Sequence, residues 1–489
     1  MDIYFSDYFG VSEQVLEDYG AFNVSLITDF PLFIDPFLLF NSSDPKYQEL
    51  HDDIIRYLRF LRAKSEQGGI STGHIEAWYS FAEVKQNWFG FCEDRNAGRG
   101  LGPKFAGALN TNLVHVFRDF GHETVTRGSH LEKLCLIGSG VGRDMISDFT
   151  TNLIKDYLLT YTETFAAQHV PPELVRRMSV PRAFFSYETE RWMPKTYSLP
   201  TYDRDFVLLT LKDMLTKDDT WISRSDMLHR FEDIPNAVGD EQLRAEINNY
   251  FYSKIPKDTE PTSEETSMAI GATLSRYPEL IDYYIRMKED TGDQAAAVSD
   301  LKVLESELLY VKQFGGLAQL LSQQTNFYGI LGNTKLETRQ KIEFFKDIVE
   351  NNKGGHAIFY DSKGETIQRE SDVHIMFRLV WFGTPSDVGR EANDGRGPAD
   401  FKISRGARDK TLVEFKLAGN SHLKRNLEKQ LETYQAASDA EAGYKVIIFF
   451  SEAQLARVQG ILEELGMTED ENIILVDARL DNKPPGSKA

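Results

Sequence analysis

Apolar side chains recur three and four apart at Leu50, Ile54, Ile55, Leu58 and Leu61, which predicts an amphipathic helix after Asp44-Pro45. Ahead of it, FNVSLITDFPLFIDPFLLF is broken by Pro31 and Pro36 and predicts short buried strands or extended segments. A second helix is expected over His74 to Val84. After a Val-Pro-Pro break near residue 170, RRMSVPRAFFSYETERWMPKTYSLPTY reads as irregular, aromatic-rich chain. Asp205 to Thr210 then predicts a buried strand, and Thr210 with Asp213 the start of a capped helix. KDTEPTSEETS, residues 257 to 267, reads as a linker, and the chain beyond it is strongly helical. There Leu301, Leu304, Leu308 and Val311 form a seam whose preferred use is packing within the chain, with a dimer interface as the alternative. Lys335 to Asn351 continues as helix, HAIFY and ETIQ pair as a hairpin, and ESDVHIMFRLVWF from Glu370 forms another helix.

From Asp387 the period shortens to two. Asp387 to Ala392 and Ala399 to Ser404 read as strands, Arg405 to Lys410 as a basic turn, and Thr411 to Ala418 as the next strand. In that last strand Leu412, Val413, Phe415 and Leu417 are apolar, while Glu414 and Lys416, two apart, project from one face. A hairpin that aligns Asp400 with this face gathers two carboxylates and an ammonium. Carboxylate oxygens without thiol or imidazole partners suit a hard cation, Mg2+ or Mn2+. Lys416 would orient or deprotonate a water and contact a phosphate; burial and the carboxylates pull its pKa in opposite directions, so sequence leaves its shift open. A helix from His422 to about Ala437, a buried strand from Tyr444 to Phe450, a helix from Ser451 to Leu465 and a strand from Asn472 to Ala478 follow.

Three motifs lie in order on these elements: GxxD at Gly397 to Asp400, ExK at Glu414 to Lys416, and QxxxY at Gln430 to Tyr434. In this the segment resembles the PD-(D/E)XK nuclease superfamily, and within it the RecB-like branch. The resemblance implies an αβββαβ core, a mixed sheet flanked by helices, as the carboxy-terminal α/β domain. It implies that Asp400 and Glu414 bind the metal, that Lys416 is the catalytic lysine, and that Gln430 and Tyr434 contact nucleic acid or brace the site. The family's first helix often adds a ligand; Glu370 is ranked ahead of His374, one turn away on the same face. Phosphate contacts are expected from Arg390, Arg405, Lys424 and Arg425. DNA is the favoured substrate because that branch mostly cuts DNA.

The chain has 489 residues, 41% hydrophobic and 12% aromatic, enough for two or three packed domains. The division expected is an α+β region over 1–256, sensor or partner-binding, a helical connector over 257–335, and the nuclease domain over 336–489. A net charge of −20 is unusual for a protein that binds phosphates, but basic residues crowd between Lys402 and Lys429 and confine attraction to that region. Two cysteines exclude the four-thiolate iron-sulfur cluster of some RecB-like relatives. No Gly-Lys-Ser/Thr triplet follows the glycine-rich turns near Gly98 and Gly138, so neither is a phosphate loop. With no signal peptide and no long apolar run, the expectation is a cytoplasmic protein without a membrane partner.

The reading is a Mg-dependent phosphodiesterase, by analogy an effector of prokaryotic anti-phage defence gated by its amino-terminal region. A homo-oligomer or a defence-system partner protein fits that role. The alternatives are a retired nuclease fold that binds or scaffolds nucleic acid, and an RNase.

Overall fold

Asp44 opens the helix Pro45–Gln67: its carboxylate accepts the Lys46 amide at 2.8 Å, and Pro45 occupies the first turn, where no amide is needed. Leu50, Ile54, Ile55, Leu58 and Leu61 are buried, as their spacing predicts. The computed structural model describes the chain except residues 1, 69, 91–100, 103–105, 108, 111–112, 114–119, 121–122, 138–141, 218, 257–260, 331, 352–354, 361–363, 368, 390–399, 407–408, 429–439, 441 and 483–489.

The amino-terminal half is helical around small sheets. Strand β1 (Leu32–Ile34) will pair with a later strand; β2 (Val175–Ser186) and β3 (Arg191–Tyr202) form a long hairpin, extended by β4 (Asp205–Phe206). β5 (Leu215–Lys217) runs antiparallel to β1. The β2–β3 hairpin corrects the irregular chain expected there. Its prolines obscured the strands: Pro181 and Pro194 lie in the interval where the register shifts, between Val180 and Phe184, and Pro200 stands at the end of the ladder opposite Val175, the first residue of β2. Phe206 to Thr210 is buried behind a half-exposed Asp205, but only Asp205–Phe206 joins a ladder. Gln86 O accepts the Leu208 amide and Thr162 Oγ1 the Leu209 amide, which satisfies the segment without a full strand. No helix starts at Thr210; a short 3-10 turn, Lys212–Met214, leads into β5.

The middle of the chain is a run of helices, including Leu280–Asp290, Gly292–Ser306 and Phe314–Gln324, with a π turn at Glu307–Gln313. The leucine seam does not pack inside the molecule. Leu301, Leu304 and Leu308 are 47%, 52% and 37% exposed, and only Val311 is buried. The helix instead buries Ala295, Ser299, Val303 and Ser306, a face of small side chains that lets it approach β5 closely.

The carboxy-terminal part is a five-stranded mixed sheet built from β6 (Asp387–Gly389), β7 (Phe401–Arg405), β8 (Asp409–Leu417), β9 (Ala442–Phe449) and β10 (Ile473–Asp477), in spatial order β10-β9-β8-β7-β6. The pairs β6–β7 and β7–β8 are antiparallel, and β8–β9 and β9–β10 parallel. This agrees with the expected mixed sheet flanked by helices. The helices Thr334–Asn351 and Glu370–Trp381 cover one face with Val413, Phe415, Val446 and Ile448. The helix Glu452–Glu464 covers part of the other with Ile447 and Phe449. The expected hairpin before Glu370 is instead a 3-10 turn, Gly355–Phe359, and one bridge between Tyr360 and Thr366. A single cluster of buried apolar residues runs from Ile3 through the middle helices to Ala478, so the core is continuous across the divisions at 256 and 335. No described helix is long and apolar enough to cross a membrane.

Candidate active site

β7 and β8 pair with Phe401 opposite Val413, so Asp400, just before β7, stands opposite Glu414. Alternation turns Phe401, Val413 and Phe415 into the large core and leaves Glu414 and Lys416 on the other side. Lys416 lies near the end of β8, where the first turn of the helix Glu370–Trp381 reaches round the sheet.

Asp400, Glu414 and Lys416 are 8%, 3% and 7% exposed, so their charges must compensate one another. Lys416 Nζ stands 3.0 Å from Glu414 Oε1, 3.3 Å from Glu370 Oε2 and 3.7 Å from Asp400 Oδ2. Asp400 Oδ2 accepts the Phe415 amide at 2.7 Å, which ties the carboxylate to the strand carrying Glu414 and Lys416. Glu370 Oε1 accepts from Asn420 Nδ2 at 2.8 Å and from the Leu417 amide at 3.4 Å. His374 Nε2 lies 3.1 Å from Asp400 Oδ2, near in distance but off-line for a hydrogen bond. Neither Glu414 oxygen receives a well-aligned hydrogen bond, and the contact with Lys416 is an ion pair by distance only.

The electrostatics follow from this packing. Burial pushes the Lys416 ammonium toward its neutral form, but Asp400, Glu414 and Glu370 together outweigh it and raise its pKa above the ordinary lysine value. This settles the direction that sequence left open. Burial would raise Asp400 as well, yet His374, Lys416 and the Phe415 amide hold it below the usual carboxylate range. For Glu414 burial prevails over Lys416 and pushes the carboxyl up.

Among the described residues no three His, Cys, Asp or Glu side chains are arranged to hold a metal ion. The donor chemistry nevertheless fits Mg2+ or Mn2+. Mg2+ commonly takes only one or two protein carboxylates and keeps its waters, and Glu414 offers two buried oxygens without hydrogen bonds beside Asp400.

The fold thus brings together Asp400, Glu414, Lys416, Glu370 and His374. Arg390, Gln430 and Tyr434 lie outside the described residues. Arg405 is directed elsewhere: its guanidinium binds Ser386 Oγ at 2.8 Å and Glu337 Oε2 at 2.6 Å and reaches Gly332 O. Lys424 is exposed and paired with Glu464 at 2.5 Å, and Arg425 is exposed on the same short stretch of helix. The basic stripe expected from Lys402 to Lys429 is therefore divided among separate tasks in its described members. Two contributors escaped the sequence reading. Asn420 holds Glu370, and its only signal was its place in the turn after β8. Lys445 pairs with Glu414 in register across β8 and β9, and burial lowers its pKa against the pull of Glu414. Strict alternation along β9 would have found it, since Lys445 and Ile447 share the face opposite Tyr444, Val446 and Ile448.

Residues 10–223 match a family described as a domain of unknown function (DUF8370), and residues 334–452 match a second so described (DUF8371). The second span covers every described member of the cluster. No curated protein and no solved structure matches the chain.

Proposed function

We propose that the chain is a metal-dependent nuclease, with Asp400, Glu414 and Lys416 as its catalytic set and DNA as the favoured polymer. The observation that carries this reading is Glu414: a carboxylate 3% exposed, both oxygens without hydrogen bonds, beside Asp400 and the Lys416 ammonium. A buried carboxylate left this way costs stability and persists where a cation is to be bound. Asp400 and Glu414 would hold Mg2+ or Mn2+, with Glu370 or His374 next in reach. Bound there, such an ion supplies Lewis-acid stabilisation of charge on a phosphate.

The protein's own groups do the rest. Lys416, ringed by three carboxylates, presents a fixed positive charge toward a scissile phosphate and offsets the negative charge that grows as the phosphodiester is attacked. The Phe415 amide fixes the Asp400 rotamer, and Asn420 with the Leu417 amide fixes Glu370, so the acids need little reorganisation on substrate binding. Gating by the amino-terminal region and a role in anti-phage defence belong to the same proposal, supported by the continuous core and by analogy alone.

The test is cleavage of labelled linear and circular DNA and of total RNA, with Mg2+, Mn2+ or EDTA. Lys416→Ala is expected to lower a metal-dependent rate roughly 100-fold or more. Turnover on RNA alone would move the substrate to the RNase alternative. Nucleic-acid binding with no metal-dependent cutting would support the retired fold.

A further inference from the structure

Between the amino-terminal half and the sheet lies a cleft of about 580 Å³, lined on one side by Trp88, Tyr202 and Phe206 and on the other by Trp381 and Phe382. That size is in the range of small-ligand sites, and such sites form where two structural units meet. It is separate from the Asp400 cluster, yet the helix Glu370–Trp381 serves both: His374 faces the cluster, and Arg378, one turn on, lines the cleft.

Trp88 makes the cleft more than a gap between units. Its backbone has φ 57° and ψ 36°, the left-handed region that suits glycine and penalises a bulky side chain. The conformation is enforced from both sides. The Trp88 amide closes the turn Lys85–Asn87 onto Lys85 O at 3.2 Å, and its carbonyl accepts the Phe30 amide at 3.0 Å. A glycine would satisfy both bonds without strain, so what the tryptophan adds is its ring, half-buried in the cleft wall near Tyr202 at 6.2 Å between centroids.

The rim selects the kind of ligand. Among the described lining residues Asp203, Asp205 and Asp387 outnumber Lys85 and Arg378; Asp205 accepts from Gln86 Nε2 at 3.0 Å and lies 3.6 Å from Lys85 Nζ. An acidic rim repels a phosphate-rich molecule and favours a ligand carrying hydrogen-bond donors. Aromatic walls favour a flat ring. We propose that this cleft binds a nucleoside, its base against Trp88 and its hydroxyl or amino donors toward the aspartates. The occupant is a free nucleoside, because a nucleic-acid strand would bring its phosphates against the aspartates. The site goes beyond the hydrolytic reading and does not depend on it.

The experiment is calorimetric titration of the full chain carrying Lys416→Ala, so that nothing is cut, with adenosine, guanosine, cytidine and thymidine and with a short single-stranded oligonucleotide. At least one nucleoside is expected to bind and to quench tryptophan fluorescence. Trp88→Gly, which relieves the backbone while deleting the ring, is expected to weaken that binding roughly 10-fold or more, and Trp88→Phe to restore most of it. An oligonucleotide that binds no more tightly than the nucleoside supports the free nucleoside as occupant; one that binds much more tightly, with the increment lost in Trp88→Gly, would overturn it. The proposal is overturned if neither probe responds to Trp88→Gly in a protein that still melts cooperatively.

Discussion

Glu414 and Lys416 share one strand face and burial penalises the charge of both, yet their neighbours settle the two in opposite senses. Lys416 has three carboxylate neighbours and gains from its ion pairs; Glu414 has Lys416 within 4 Å, a weaker pull from Lys445, and no hydrogen bond, so its burial prevails. Glu414→Gln should therefore melt at or above the wild-type temperature in EDTA while cutting at least about 100-fold more slowly, a trade of stability for function checked by thermal melts and cleavage assays on one preparation. A second residue-level prediction concerns pH. Burial, with Asp144 and Glu83 nearby, pushes the Asp148 carboxyl up to about 8. The unfolded chain ionises this group from about pH 4, whereas the folded one resists until pH 8. The penalty is thus absent below pH 4, grows between pH 4 and 8, and is complete above. Asp148→Asn should gain melting temperature over wild type across that window and show no gain at its acid end. The charged pair on β8 was legible in the sequence because two residues on an apolar strand must share a face. Alternation along β9 places Lys445 on the face opposite Tyr444, Val446 and Ile448, but its register against Glu414, like the role of Asn420, arises only when β9 and the turn after β8 fold against the first two.

At the level of elements, the buried charges beneath β7 deserve the same arithmetic. Glu337 and Lys341, both 0% exposed, pair at 2.5 Å on the helix Thr334–Asn351, and Arg405 joins them from the end of β7. Removing one member leaves a buried charge without compensation, which typically costs about 3–5 kcal/mol. Glu337→Ala is expected to destabilise by that order in urea titrations, and Arg405→Ala by less because its side chain is partly exposed. If Arg405 acted mainly on phosphate, Arg405→Ala would instead weaken nucleic-acid binding and leave the urea midpoint unchanged. Period-two alternation revealed β7 to β10 and period-three-four spacing revealed the long helices. The β2–β3 hairpin stayed hidden, since prolines that read as breakers sit at its bulge.

For the whole molecule the boundary near 335 matters. The helix Glu370–Trp381 is covered by Phe314–Gln324, Tyr310 donates to Asp372 at 2.7 Å, and Tyr328 to Val380 O at 2.5 Å. A fragment of residues 334–489 would expose that face. It is expected to melt roughly 5 °C or more below a 307–489 fragment, measured by differential scanning calorimetry, and to cut more weakly for that reason. Equal melting of the two would show that the sheet and its helices stand alone. The exposed leucines Leu301, Leu304 and Leu308 are the counterpart: a heptad-like spacing reads the same whether its face is covered or open, so sequence could not assign it.

The sequence alone determined the order of strands and helices in the carboxy-terminal part, the shared face of Glu414 and Lys416, and the lack of a thiolate cluster, because each follows from local periodicity or simple counting. Tertiary structure decided the rest. The pairing of Asp400 opposite Glu414, the approach of Glu370 to the end of the central strand β8, the diversion of Arg405 to Glu337 and the cleft at Trp88 all join residues tens to hundreds of positions apart. Such contacts are set by packing free energy summed over the molecule, which no local window contains.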